Sequence, residues 1–462
     1  MVNYRPAELL LGDHLNNRKL QTKLWSELFT NFDAVVIGSG ATGVFVSLDL
    51  ALRGLSVASV DRYGLCSGTS GKFHGMLHSG ARYAVNDPES AKECFEENKL
   101  LSKIAPHVIV DTGGLFVALS EVETNYKASL MDGCKKIGIP FQEIPIERAL
   151  WMEPKLNPKV KSALWVPDKV VYAHDLMFSA ALTASDAGAK FYADNEVVEL
   201  LREGSDVVGV KTFDRTRQMT RELQCRLVIN AAGPWAPKIA QMAGLDVDVI
   251  PTAGVMGVAH GRLCNRILNR MRPPSDADIL IPYSENASVM GTTATLIEDP
   301  DNIDTSDEDL ELLLREGSEM VPELLTLGFS RAFASARPLI KLSRTGAEDV
   351  RQLGRDLQIF NHELQGTRGL LTIAGGKLTT ARLMGERISN VAAERLGTNE
   401  KCKTREKALL GVRPDQDAEQ LSKASGLELG FVKRILETMG SVDEERFMPA
   451  IRLLLSYCCE AS

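Results

Sequence analysis

Residues 32–61, FDAVVIGSGATGVFVSLDLALRGLSVASVD, decide how the chain is read. Phe32 to Ile37 is a short apolar run, rich in β-branched residues and bounded by glycine, as in a buried strand. Ala41 to Arg53 has helical periodicity and stops at Gly54, a residue suited to the end of a helix. Val57 to Val60 is a second buried strand, ending at Asp61. Together they make a strand–helix–strand unit of about thirty residues. Gly38, Gly40 and Gly43 form G-x-G-x-x-G directly after the first strand, with Ser39, Ala41 and Thr42 completing the turn. Gly38 permits a tight turn, Gly40 lets the backbone approach a pyrophosphate, and Gly43 lets helix and strand pack closely. The helix N-terminus adds amide donors and a partial positive charge. Asp61, 18 residues past Gly43, stands where a carboxylate bonds ribose hydroxyls. The acid disfavours a 2′-phosphate, an effect softened by Arg62. The unit binds NAD or FAD, and by itself does not choose between them.

Outward from this unit, Ser67-Gly68-Thr69-Ser70 is a small, hydroxyl-rich loop suited to a pyrophosphate and the edge of a flavin ring. Leu227 to Gly233 is a strand running into Ala232-Gly233-Pro234-Trp235, where small residues let backbone lie flat against a cofactor. Asp307 to Met320 reads as one charged helix. Gly369 to Ile373 is another buried strand, ending at Gly375-Gly376, with a helix following to about Leu396. Before the unit, Leu20, Leu24, Trp25 and Leu28 recur at helical spacing. The expected organisation is a helical extension over 1–31, a two-lobed body over 32–397 and a helical region over 398–462. Within the body, 32–110, 180–250 and 366–397 form the dinucleotide lobe, and 111–179 and 251–365 form the substrate lobe.

The 462 residues exceed one ordinary core, and 44% hydrophobic with 25% charged residues is a globular composition. A net charge of -8 argues against nucleic acid as a partner. No stretch reaches the roughly twenty apolar residues of a membrane helix, so no direct span is expected. Eight scattered cysteines suit a reducing compartment, giving a cytoplasmic expectation. The histidines and cysteines of the body show no ligand spacing, so no metal is expected.

The stretch Val36 to Gly43, the block Met76-Leu77-His78-Ser79-Gly80-Ala81-Arg82-Tyr83 and the Asn230 to Ala236 segment resemble the FAD-dependent glycerol-3-phosphate dehydrogenases. The likeness is strongest to the flavin-bearing large subunit of the anaerobic bacterial enzyme. It continues through Arg272 to Asp278, Gly291-Thr292-Thr293, Arg337-Pro338-Leu339 and Gly375-Gly376-Lys377-Leu378-Thr379-Thr380, covering roughly residues 32–400. The resemblance implies an α/β fold of the D-amino-acid-oxidase type, with a Rossmann-like FAD lobe and an antiparallel sheet over the flavin. It also implies electron transfer to a quinone through partner subunits, on the inner face of the cell membrane. Three positions depart from the pattern: Asp61 replaces the usual glutamate, Ala253 a basic residue, and Ala381 a tyrosine. The family's large chain often continues into a cysteine-rich iron–sulfur-type domain. Cys458-Cys459 falls where that would open, but two adjacent thiols cannot replace the about four that a cluster wants, and no cluster is expected.

Oxidising a secondary alcohol by hydride transfer needs a base for the hydroxyl proton and positive charge for a phosphorylated substrate. Arginine forks bind phosphate in bidentate fashion. The resemblance places Arg337 and Lys377 against the substrate and Arg82 nearby, with Arg331 a further cation. Histidine is the usual base near neutral pH. The resemblance sets His78 beside the flavin; His74 and, more weakly, His362 are the other candidates. Tyr83 can bond the substrate or pack. Gly68, Thr69, Ser70, His74, Met76, Ala232, Gly233, Gly376, Lys377 and Leu378 join the glycine turn, Asp61 and Arg62 as the expected cofactor contacts. The alternatives are a flavin enzyme acting on another hydroxy acid or an amine, and a non-catalytic flavin-binding subunit.

Overall fold

The computed structural model describes residues 29–340 and 357–410. The expected N-terminal helix with Leu20 and Trp25, and the Cys458-Cys459 pair, lie outside the described residues. The strand–helix–strand unit forms as read: β1 (Phe29–Ile37), α1 (Ala41–Leu52) and β2 (Val57–Val60). Gly54 follows the helix at φ +83, a left-handed conformation that an L side chain would strain. Phe45, Leu48 and Leu50 of α1 are fully buried, each contributing about 1.5–3 kcal/mol. The helix tolerates apolar residues on nearly every face because the sheet covers one side and two helices cover the rest. These are Ala173–Asp186 and the late helix Ala381–Leu396.

β1 lies at the centre of an eight-stranded sheet. It pairs in parallel with β2 on one side and with β3 (Met219–Asn230) on the other. The end of β3 pairs in parallel with β4 (Leu370–Ala374), and Lys190–Tyr192 extends the sheet beyond β2. The hairpin of Asn195–Glu203 and Asp206–Asp214 adds antiparallel strands to the first half of β3. Register aligns the carboxyl ends: Ile37 lies opposite Val60 and Asn230, and Asn230 opposite Thr372. Parallel strands of this kind place ligands beyond their carboxyl ends. The glycine turn, Asp61, the Ala231-Ala232-Gly233 turn and Gly375-Gly376 all leave the sheet at that edge.

The second sheet has nine strands. Its spine is the long antiparallel pair Val249–His260 with Arg331–Ile340, in register from Val249 against Ile340 to Val258 against Arg331. The expected antiparallel sheet needs one correction, because Ile267–Arg270 runs parallel to Gly114–Ala118. Those two strands come from distant parts of the chain, so no hairpin forces them to run in opposite directions. The lobe limits also shift. Ala173–Asp186 packs on α1, and Gln358–Asn361 pairs with β4, so both belong to the first lobe. Residues 398–410 form a turn and extended chain without helix, and Leu409 is buried in the first core.

A buried charge cluster ties that stretch down. α2 (Pro88–Ile104) carries Glu97, and α3 (Ala381–Leu396) carries Arg382, which is fully buried. Arg382 donates to Glu97 at 2.6 Å, to Glu386 at 2.7 Å and to the Thr404 hydroxyl at 2.9 Å.

The closest approach of helix and strand is at Gly43, where a Cβ would lie 1.8 Å from the Gly38 carbonyl oxygen. Gly43→Ala must therefore move backbone, and the expected cost is about 1–3 kcal/mol or more. A chemical-denaturation midpoint equal to wild type would contradict this packing.

Candidate functional site

Beyond the aligned strand ends, the glycine turn is built from short contacts. Gly38 has φ +100, and a Cβ on it would sit 2.8 Å from the Ala231 carbonyl oxygen. A Cβ on Gly40 would come within 3.2 Å of the Ser70 hydroxyl. That hydroxyl accepts from the Ala41 amide at 2.9 Å, so the Ser67–Ser70 loop folds over the start of α1. Asp61 accepts from the amides of Ser39 (2.7 Å), Tyr63 (3.0 Å) and Gly64 (3.1 Å). Its burial raises the carboxyl above the usual range, against the pull of those amides.

A cavity of about 630 Å³ runs from this turn to the second sheet. That volume lies within the roughly 300–1,000 Å³ usual for a ligand site. Gly38, Gly40, Ala41, Thr42, Asp61, Arg62, Gly68, Thr69, Ser70, Ala232, Gly233, Gly376, Lys377 and Leu378 all line it. With side chains absent where backbone must be approached, and an acid at the end of β2, these residues fit the adenosine and pyrophosphate of FAD. Ser39, Gly43 and Met76 do not line the wall. Ser39 is buried against Asp61 and Ser59, Gly43 is closed off by Gly38, and Met76 packs in a small apolar cluster with Val170 and Ile267. Arg62 lines the mouth with its charge taken up by Asp301, lying 4.6 Å over the Trp235 ring. Asp301 also accepts from Trp235 at 2.8 Å and Lys238 at 2.9 Å. Partial burial opposes ionisation there, but Arg62 and Lys238 hold the carboxyl down at about 2.

The inner end gathers His74, His78, Arg82, Tyr83, Arg337 and Lys377. The His78 and Tyr83 rings lie 5.4 Å apart, and the His74 ring 6.0 Å from His78. Lys377 sits 4.8 Å over the Tyr83 ring and donates to the Ser90 hydroxyl at 3.0 Å. Arg337 donates to the Thr292 hydroxyl (3.2 Å) and to the carbonyls of Ala253 (3.2 Å) and Thr293 (2.8 Å). A Cβ on Gly254 would lie 3.2 Å from the centre of this guanidinium, so glycine makes room for it. Strand alternation puts Gly254 on the cavity and Ala253 off it, whereas Ala381 lines the wall with a methyl group.

His74 does not suit a base. Its Nδ1 accepts from the Met76 amide at 3.1 Å, so the neutral ring carries its proton on Nε2. Burial first, then the Arg82 and Arg337 charges, push its pKa down to about 3. His362 lies away from the cavity, bonded to Gln365 at 2.8 Å and Thr372 at 2.9 Å beneath β4. Arg331 is exposed at the start of its strand and also outside the cavity. Residues missed in the sequence are Asp278, which holds Arg82 at 2.7 Å, and Asp168, which takes the Ser79 amide at 2.7 Å. Asp278 lies in a recognised block, which could have flagged it; Asp168 carries no local signal. Among the described residues no helix is long and apolar enough to cross a membrane, and no group of histidines, cysteines and acids could hold a metal.

Residues 33–382 match the family described as FAD dependent oxidoreductase. The A1 subunit of the anaerobic glycerol-3-phosphate dehydrogenase of Haloferax volcanii is 37% identical over 421 residues, covering 89% of this chain and 72% of that one. The corresponding large chain of the anaerobic glycerol-3-phosphate dehydrogenase of Escherichia coli K12 is 38% identical, covering 82% and 70%. The solved glycerol-3-phosphate dehydrogenase of Bacillus halodurans, complexed with FAD, superimposes with a TM-score of 0.68 at 23% identity. It covers 92% of this chain and 78% of its own, a likeness of fold.

The environment of His74 has a consequence in pH. Unfolded, the ring titrates near 6.5; folded, it does so at about 3. Between those values the unfolded state binds the extra proton, so stability falls as pH falls. The slope is up to about 1.4 kcal/mol per pH unit. Denaturation of wild type and His74→Asn at pH 7, 6 and 5 should show wild type losing ground to the variant at each step. A difference that stays constant across these pH values rules out the assignment.

Proposed function

The chain belongs to the FAD dependent oxidoreductase family, and within it we propose that it oxidises sn-glycerol 3-phosphate to dihydroxyacetone phosphate. FAD is the cofactor, and when bound it accepts the hydride from the substrate carbon. The observation that carries the substrate reading is the gathering of Arg82, Arg337 and Lys377 at the inner end of the cavity, beside two histidines. A phosphomonoester brings up to two negative charges, and the Arg337 fork, aligned by two carbonyls and a hydroxyl, suits a bidentate grip on it. Lys377 can reach the same anion by turning its terminal ammonium from Ser90.

His78 is the residue assigned to take the hydroxyl proton, since His74 is locked in its neutral form and His362 is remote. Tyr83, against the His78 ring, orients the hydroxyl or the imidazole. Electrons leave toward a quinone pool or a partner subunit. Relatives that are themselves named as subunits of a larger enzyme support partners for this chain also. Cysteine usage favours the cytoplasm, with attachment to the inner face of the cell membrane through such a partner. A second reading, the same chemistry on another hydroxy acid or an amine, draws on the room left by Ala381 in the wall.

An anaerobic absorbance spectrum before and after adding glycerol 3-phosphate tests the proposal. The flavin band should bleach; a band that persists shifts the reading to another substrate or to a flavin-binding chain without turnover. Arg337→Ala should raise the KM about ten- to a hundredfold, as loss of a charged contact of about 1.5–3 kcal/mol implies, with FAD retained. Unchanged kinetics would remove Arg337 from the site.

A further inference from the structure

We propose that Asp278 is a positioning residue for substrate binding, aiming one nitrogen of Arg82 at an oxygen of the substrate. The inference rests on the reading of this cavity as a site for glycerol 3-phosphate. Arg82 is 8% exposed and lines the cavity. Its Nη2 donates to Asp278 Oδ2 at 2.7 Å and to the Ser275 carbonyl at 3.0 Å. Its Nη1 is equally buried and has no hydrogen-bond partner among the described residues. A buried donor without an acceptor is costly, and native proteins keep such a group mainly where a ligand, ion or water completes it. Here the guanidinium is held by one edge, and the other edge is left as a directed donor.

The carboxylate that holds it is unusually well fixed. Asp278 is fully buried, and its Oδ2 also accepts the Ser275 amide at 2.6 Å. Its Oδ1 takes Arg272 at 2.7 Å. Arg272 in turn meets Glu316 at 3.0 Å, Glu316 meets Arg270 at 3.1 Å, and Arg270 meets Glu123 at 2.6 Å. Arginines and carboxylates alternate along this chain and balance in charge. The cavity therefore gains direction rather than net charge. An arginine left loose would lose its rotamer freedom on binding substrate; Arg82 has already lost it. The second lobe supplies Asp278 and the first-lobe side supplies Arg82, so the contact also spans the walls that enclose the substrate.

The test is a double-mutant cycle on the FAD-loaded protein, with an artificial electron acceptor. Asp278→Asn should raise the KM for glycerol 3-phosphate about tenfold, the loss of one charge-assisted contact, with kcat within about threefold and the flavin spectrum unchanged. Arg82→Met should raise KM at least as far, and the double variant should go no further. A KM for Asp278→Asn within about twofold of wild type, or additive effects in the double variant, overturns the proposal. Should Asp278→Asn fail to fold, Arg272→Gln decides. It leaves the Asp278–Arg82 pair, so KM should stay within about twofold, and a rise matching Arg82→Met overturns the proposal. Wild-type flavin that glycerol 3-phosphate does not reduce removes the substrate reading and this inference together. Wild-type turnover with an indifferent Asp278 removes this inference alone.

Discussion

The constraint on which the structure depends is the register of three parallel strands. Ile37 lies level with Val60 and with Asn230. Because the carboxyl ends coincide, the glycine turn, the ribose acid and the flat Ala231-Ala232 backbone leave the sheet side by side. Buried polar bonds hold the level. Asn230 donates to the Ala236 carbonyl at 2.9 Å and to Thr372 at 3.3 Å, and Thr372 is bonded in turn to His362. A slip of one residue in any strand would exchange buried and cavity-facing side chains, and would leave these groups without partners. His362 thus serves the site from beneath the sheet.

Charge is handled differently at the two ends of the cavity. At the mouth, Arg62, Lys238 and Asp301 are partly exposed, where ion pairs are weak and solvent-screened. At the inner end, Arg82, Arg272 and Asp278 are wholly or largely buried, so each depends on a fixed partner. Arg382 with Glu97 and Glu386 follows the same rule away from the cavity, joining α2 to α3. Buried pairs of this type add little net stability over apolar residues of equal volume, but breaking one leaves a charge without solvent. Their effect is to hold a particular geometry, and in this chain they surround the elements that carry Tyr83 and Lys377.

The local signals in the sequence were legible because their causes are local. The strand–helix–strand unit, the helix Asp307–Met320 and the helix ending at Leu396 follow from apolar periodicity and glycine within short windows. Arg337 was legible as a guanidinium in an apolar strand. Arg331, six residues earlier on the same strand face, was not separable from it by pattern. It stands roughly 20 Å along the strand, past the end of the cavity. Among the histidines, proximity in sequence said nothing about protonation. Only the Met76 amide and two converging arginines distinguish His74 from His78.

Residues 32–61 by themselves determined a dinucleotide-binding unit, and with the later blocks its flavin family, because turn geometry and hydrophobic period are set by neighbours in the chain. Tertiary structure decided which side chains meet. Arg82 and Asp278 are separated by 196 residues, and Ser79 and Asp168 by 89. Gly254 faces the cavity and Ala253 does not, a choice made by pairing against Arg331–Ile340. The physical reason is range. Backbone preference and periodicity act over a few residues, whereas burial and electrostatic pairing act between surfaces that exist only after the two lobes have closed on each other.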